Sequence, residues 1–271
     1  MFLGVVLPGL VMIPAEYLGV NPAELQGRNF RISVGTVTTI LLFSAGSIGF
    51  VYLVQRYYHR RSLLDLGFAR RWVGGLAWGH LIGALLSGLP LGLALGLAED
   101  VQFSSTIPDS VGVQSLAGYF LFFLFMLTLN SFKEELLFRS YPIENMAGES
   151  AGNWTVILLA SAIFSFVHLF LEPFTWMAFI NRFLFGVFTC QVYVATRSLW
   201  PVVGIHNANN WVVVTFFMGE WRMGGFVSLT QGAEGVPFEP SPMYGIVSLA
   251  LAVGLMVLWM QRERNGSVDT G

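Results

Sequence analysis

The chain is dominated by long apolar runs, and their length sets the architecture. A helix needs about 20 consecutive apolar residues to cross about 30 Å of hydrocarbon, and it satisfies its own backbone hydrogen bonds there. Runs of this kind cover 1–20, 33–55, 74–98, 115 to beyond 129, 153–171, 175–195, 200–218 and 243–260. The sequence therefore predicts an all-α fold, a polytopic transmembrane helical bundle of about eight spans.

The first run is the most interrupted of these, because it contains Pro8, Pro14 and Glu16. Proline removes a helical hydrogen bond and a carboxylate is costly in lipid. Two alternatives therefore stay open for 1–20, a spanning helix and a re-entrant or interfacial segment.

Composition supports the membrane class. Hydrophobic residues make up 55% of the chain and charged residues 11%, whereas soluble domains carry about 25% charged residues. The expected partner is the lipid bilayer, and a net charge of −2 provides no basic surface for nucleic acid. No repeat or flexible linker divides the chain, which predicts a single membrane-embedded domain over 1–271.

Arginines indicate the orientation. The linker between two apolar runs contains Arg56, Arg60, Arg61, Arg70 and Arg71. Cytoplasmic loops carry such an excess of basic residues, so this linker is predicted to lie inside. Leucines alternate with the charges in this linker, which suits a short helix lying on the inner leaflet. Alternation then places the loops 99–109 and 219–242 outside. We expect a multi-pass protein of the cell (inner) membrane with both termini in the cytoplasm.

Two adjacent glutamates, Glu134 and Glu135, are followed by Arg139 in this apolar chain. Ionisable groups at membrane depth cost several kcal/mol unless they are paired or hydrated, so they usually mark a functional interior site. On a helix, Glu135 and Arg139 share a face and can pair, while Glu134 is rotated by about 100° and stays free. An ion pair at a helix end near the membrane interface is the alternative interpretation of Glu135 and Arg139.

Two histidines and an asparagine complete the candidate site. His206 and Asn210 are four positions apart and lie on one helical face. A turn near 147–152 would place Glu134 and His168 at similar depth in an antiparallel hairpin, provided that the helix of the glutamates continues toward residue 146. Alone, His168 could be a histidine that donates to a neighbouring carbonyl, and His206 with its asparagines could be an interhelical clamp.

The inventory of these side chains is that of a hydrolase. A glutamate close to a histidine can act as general base toward water, and a histidine with an asparagine can donate to an oxyanion. A glutamate and two histidines could equally hold Zn²⁺ with an open water position. Other classes stay open: a transporter with a proton or cation relay, and a non-catalytic immunity or scaffold protein. His59 and His80 have no partner pattern and are interpreted as incidental.

Three motifs occur in order along the chain: Glu-Glu-x-x-x-Arg from Glu134 to Arg139, Phe-x-x-x-His ending at His168, and His-x-x-x-Asn ending at Asn210. Together they resemble the CPBP family of intramembrane proteases, named for CAAX prenyl endopeptidases and bacteriocin-processing proteins and also called the Abi family. The resemblance places the catalytic core at approximately 115–218.

The resemblance implies that Glu134 is the catalytic base, that His168 helps to activate water and that His206 with Asn210 stabilises the oxyanion. It implies a supporting role for Glu135 and Arg139. No cofactor is favoured, and zinc remains the alternative. The predicted function is that of an intramembrane endopeptidase acting on membrane-associated proteins or peptides.

Overall fold

The computed structural model describes residues 34–68, 72–105, 113–146, 154–168, 174–216 and 226–268. The helices and strands in these ranges are, in order, α1 (Val34–Leu53), α2 (Trp72–Leu97), β1 (Val101–Ser105), α3 (Val113–Glu135), α4 (Tyr141–Met146), α5 (Trp154–His168), α6 (Trp176–Thr196), α7 (Leu199–Phe216), β2 (Val227–Gln231), β3 (Val236–Pro237) and α8 (Pro242–Val268). The predicted helical bundle is confirmed.

The described helices differ in their capacity to cross a membrane. By length and hydropathy, α2, α6 and the Pro242–Arg262 part of α8 qualify, and α5 is apolar but shorter. The predicted number of about eight spans is therefore not confirmed within the described residues. The run 1–20, for which two alternatives were open, lies outside them.

Helices α2 and α7 pack closely because glycines line their contact. A Cβ atom at Gly79 would overlap the carbonyl oxygen of Pro201, and one at Gly83 would overlap that of Ile205. Small residues let helix backbones approach in membranes, where apolar surface alone gives no preference for a neighbouring helix over lipid. This contact fixes the position of α7, which carries His206 and Asn210.

A small antiparallel sheet joins two loops that are distant in sequence. Strand β1 pairs with β2 from Val101 opposite Gln231 to Ser105 opposite Val227, and β2 pairs with β3. The sheet is an addition to the all-α architecture predicted from the sequence. It brings together the two loops that the arginine pattern placed on one side of the membrane.

The segment 59–68, which we call the strap, follows a π-helical turn at Val54–Tyr58. It contains one short 3₁₀ turn, Leu63–Leu66, where the sequence suggested a helix lying on the inner leaflet. The carbonyl of Leu66 accepts a hydrogen bond from Ser140, and that of Gly67 accepts one from the backbone of Leu199. The strap is therefore attached to the end of the bundle.

Candidate active site

The helix that carries the glutamates continues beyond them. Helix α3 passes into a π-helical turn, Leu136–Ser140, and then into α4, which extends to Met146. This is the continuation that the predicted hairpin required, while the predicted turn at 147–152 lies outside the described residues. Single π turns within α-helices occur frequently at functional sites, and this one contains Arg139.

Glu135 and Arg139 form the predicted ion pair, with 3.1 Å between Oε2 and Nε. Both side chains are fully buried, which places the pair in the interior of the bundle and not at its surface. The same Nε donates to the hydroxyl of Thr189 at 2.9 Å, and the guanidinium lies 3.9 Å from the centroid of the Phe164 ring. Arg139 thus connects the glutamate helix to α5 and α6.

His206 lies against both carboxylates. Its Nδ1 is 2.6 Å from Oε1 of Glu135, and its Nε2 is 3.7 Å from Oε2 of Glu134. When Glu135 is ionised it can only accept, so Nδ1 of His206 carries the proton of this hydrogen bond. The opposite ring nitrogen of His206, Nε2, is the one that faces Glu134.

The two glutamates have different environments. The side chain of Glu134 is 17% exposed and that of Glu135 is 0% exposed. Oε1 of Glu134 lies 3.6 Å from Nζ of Lys133. Its Oε2 atom is buried and has no hydrogen-bond partner among the described residues. Glu134 therefore has an acceptor oxygen that is not used by the helices around it.

His168 lies beside the site, and the ring of Phe164 lies between it and His206. It is the last residue of α5, and its Nδ1 donates to the carbonyl of Phe164 at 2.8 Å. The ring of Phe164 lies 4.6 Å from that of His168 and 6.1 Å from that of His206, between centroids. His168 interacts electrostatically with Glu134, but the hydrogen bond it makes within the described residues is to its own helix.

Asn210 lies one turn along α7 from His206, on the side that faces α3. Its Nδ2 donates to the hydroxyl of Ser131 at 3.2 Å, and both side chains are buried. The structure thus joins Glu134, Glu135, Arg139 and His206 directly. The ring of Phe164 lies between His168 and His206, and Asn210 lies at the same contact between α3 and α7.

Several polar residues at or near the site were not predicted from the sequence. Lys133 is 5% exposed and contacts Glu134. His80, interpreted as incidental, accepts a hydrogen bond at Nε2 from Asn207 at 3.1 Å, and the same amide nitrogen donates to Thr128 at 3.0 Å. This network links α2, α3 and α7 beside the site. The interhelical clamp that the sequence left open for His206 and its asparagines is formed here by Asn207, whereas its partners His80 and Thr128 were not predicted.

His59 also has a partner. Its Nε2 lies 3.1 Å from the hydroxyl of Tyr141, the first residue of α4. Burial, followed by the nearby Tyr58, raises the pKa of Tyr141. The phenol therefore keeps its proton and can donate it to the imidazole, which attaches the strap to the helix that follows the glutamates.

Zinc is the alternative that the sequence left open for this site, and it requires a set of protein ligands. Within the described ranges, no three His, Cys, Asp or Glu side chains form a group that could hold a metal ion, whereas catalytic zinc takes three protein ligands. The carboxylates instead face the cations Lys133 and Arg139. The zinc alternative gains no support from this geometry.

A protein-family comparison covers the site. The sequence model of the family described as Rce1-like, type II CAAX prenyl endopeptidase, matches residues 116–212, which include all three motifs. This part of the chain, 116–212, is similar to the Rce1-like family. Comparisons with curated proteins and with solved structures found no match.

The Rce1-like match confirms the resemblance inferred from the motifs. It identifies the protein as a peptidase, and the apolar helices agree with an integral membrane protein. The family implies membrane-associated peptides as substrates. The peptidase is therefore favoured over the transporter and scaffold alternatives.

Proposed function

We propose that this Rce1-like protein is an intramembrane endopeptidase in which Glu134 deprotonates the water molecule that attacks the peptide bond. The observation that carries the proposal is the position of His206, with one nitrogen on Glu135 and the other facing Glu134. A general base must lie within hydrogen-bond reach of the water it activates. A water molecule on the Glu134 side of His206 would contact both groups.

The environments of the two carboxylates support Glu134 as the base. Both oxygens of Glu135 are engaged, one with His206 and the other with Arg139. Glu135 is therefore held on both sides and serves as an anchor for His206 and Arg139. Glu134 has partial exposure and an Oε2 atom without a hydrogen-bond partner among the described residues, so it can accept a proton.

The proposed reaction proceeds through a tetrahedral intermediate. Water transfers a proton to Glu134 while its oxygen bonds to the carbonyl carbon. Asn210 donates to the oxyanion together with Nε2 of His206, which requires His206 in its doubly protonated form because Nδ1 stays on Glu135. His168 polarises the water from the α5 side. Asn210 must exchange its hydrogen bond to Ser131 for one to the oxyanion. Glu134 then passes its proton to the leaving amine as the C–N bond breaks.

We propose that no metal ion takes part. The two carboxylates are matched in charge by Lys133 and Arg139, both buried beside them. Two buried cations disfavour the binding of a divalent cation at the same carboxylates, since like charges at this distance repel strongly in an interior of low dielectric constant. Glu135 and Arg139 support the site by fixing His206.

We further propose that the protein lies in the cell (inner) membrane with both termini in the cytoplasm. The arginines around the strap support this orientation. It places the strap on the cytoplasmic side and the small sheet on the outer side.

The decisive experiment is the substitution Glu134→Gln, with Glu234→Gln as the matched control in the exposed β2–β3 turn. Both proteins are reconstituted in phospholipid vesicles with a fluorescence-quenched farnesylated CAAX peptide. Membranes from cells that express each variant are also compared by mass spectrometry of new peptide termini. We expect Glu134→Gln to lower cleavage by at least about 100-fold, because it removes the general base. Glu234→Gln should cleave like the parent protein.

Two results would overturn the proposal. One is cleavage by Glu134→Gln at the parent rate. The other is the absence of any difference between the parent protein and Glu134→Gln in both assays: neither cleaves the farnesylated peptide, and membranes from the two contain identical peptide termini.

A further inference from the structure

Lys133 is the single lysine in the sequence of 271 residues, and the other 13 basic residues are arginines. It directly precedes Glu134, and it is 5% exposed. A buried ammonium is strongly unfavourable unless nearby groups compensate its charge. The contacts of this side chain therefore indicate what it does.

Three groups surround the ammonium. Nζ donates to Oδ1 of Asn130 at 2.6 Å, lies 3.6 Å from Oε1 of Glu134, and lies 4.3 Å from the centroid of the Phe43 ring. A lysine ammonium is a compact charge that can address separate partners, and an aromatic face attracts it further. Asn130 and Phe43 thus hold the ammonium where it meets one oxygen of Glu134.

The other charged groups near Glu134 have different contacts and do not hold its Oε1 atom. Nε of Arg139 is engaged with Glu135 and Thr189. His206 lies near the opposite oxygen, Oε2, and His168 acts on Glu134 from the end of α5. Among the described side chains, the Oε1 side of Glu134 is therefore defined by Lys133.

We propose that Lys133 is a positioning residue, which orients Glu134 by holding Oε1 so that Oε2 faces His206 and the reacting water. This inference rests on the proposed function, because it assumes that Glu134 is the general base. It assigns to the lysine the selection of one carboxylate oxygen for proton transfer.

A purely structural role would also explain a buried lysine, since its contact with the Phe43 ring attaches α3 to α1. The two roles differ in their kinetic effects. A positioning role acts on the chemical step and depends on the positive charge. A structural role would change the stability of the fold without a specific effect on kcat.

The first test compares Lys133→Met and Lys133→Arg in vesicles with the quenched farnesylated peptide. Arg56→Met, at an exposed position, is the matched control. We expect Lys133→Met to lower kcat by about 10- to 100-fold with KM nearly unchanged, because a small misplacement of a catalytic group has effects of this size. Lys133→Arg should recover part of the loss, and Arg56→Met should keep the parent kcat.

The second test needs no activity. Protein labelled with ¹³C at the lysine ε carbon gives one lysine NMR signal, because the chain has one lysine. We expect this signal to shift when Glu134 is replaced by Gln and to stay in place when Glu234 is replaced by Gln. An unchanged signal in Glu134→Gln would show that the ammonium and the carboxylate are not in contact, which would overturn the inference.

The outcomes separate this inference from the proposed function. An active Glu134→Gln variant would reject the base, and with it both proposals. An inactive Glu134→Gln variant together with a Lys133→Met variant of parent kcat would reject the positioning role alone. Equal loss of kcat in Lys133→Met and Lys133→Arg would also reject it, because the charge would then have no effect.

Discussion

Nδ1 of His206 lies 2.6 Å from Oε1 of Glu135, inside the bundle and between α7 and α3. The other oxygen of the same carboxylate is paired with Arg139. Glu135 thus fixes the orientation of the imidazole from one side while it neutralises a buried guanidinium on the other. Its main contribution is to the geometry of the site.

This arrangement predicts a large difference between the two glutamates in stability. Glu135→Gln should lower the free energy of unfolding by about 3–5 kcal/mol, because it leaves the buried charge of Arg139 without its partner. Glu134→Gln should have a smaller effect, because its ion pair with Lys133 is longer, at 3.6 Å, and Lys133 keeps its contacts with Asn130 and Phe43. Denaturant titrations in detergent micelles, followed by tryptophan fluorescence, measure both. Equal stability of the two variants would contradict the anchor role.

Removal of both charges provides a second check of the same pair. The double variant Glu135→Leu with Arg139→Met should recover most of the stability lost in Glu135→Gln, since apolar residues of similar size can replace a buried ion pair. It should remain inactive because His206 has lost its acceptor. A double variant less stable than Glu135→Gln would argue against this account.

The contact between α2 and α7 predicts a position-specific effect of a single methyl group. Gly79→Ala should lower the free energy of unfolding by about 1–3 kcal/mol, because the added Cβ overlaps the carbonyl oxygen of Pro201 and the helices must separate. Gly88→Ala, on the same helix and with no heavy atom within 4 Å of the new Cβ, is the control. Thermal unfolding of the purified variants should show a lower melting temperature for Gly79→Ala only.

The charge balance of the site predicts that chelators leave the activity intact. Cleavage of the quenched farnesylated peptide should continue after treatment with EDTA or 1,10-phenanthroline, because Lys133 and Arg139 already compensate both carboxylates. Added Zn²⁺ should not increase the rate. Loss of activity on chelation, with recovery by Zn²⁺ and one bound zinc per chain by elemental analysis, would contradict the prediction.

The orientation can be tested by thiol labelling. Cys190 is buried and is the single cysteine of the chain, so Cys190→Ala provides a background without thiols. In that background, a membrane-impermeant maleimide added to intact spheroplasts should label Ser104→Cys in β1 and should not label Arg56→Cys before the strap. The reverse pattern would place both termini outside.

Local regularities in the sequence predicted part of this site. The four-residue spacing predicted the pair of Glu135 and Arg139, and the need for a hairpin predicted that the helix would extend to Met146. Both depend only on helical periodicity. The expected functions of these residues stay predictions until the variants are measured.

Other parts of the site depend on long-range packing. The contact of Glu135 with His206 joins two helices that are distant in sequence, and glycines let α7 also approach α2; the apolar pattern alone reveals neither. The partner of His80 lies on another helix, and the strands β1 and β2 pair across nearly half of the chain. The number of spans stays a prediction, since length and hydropathy qualify three of the described helices and do not establish which helices cross the bilayer.

One turn of α7 directs neighbouring side chains to different helices: His206 and Asn210 toward α3, and Asn207 toward both α2 and α3. A shift of this helix by one residue would place Asn207 where His206 meets the glutamates, so the side chain that joins the helices would replace the one proposed to react. This turn should therefore tolerate fewer substitutions than lipid-facing turns, since three of its side chains make hydrogen bonds to neighbouring helices.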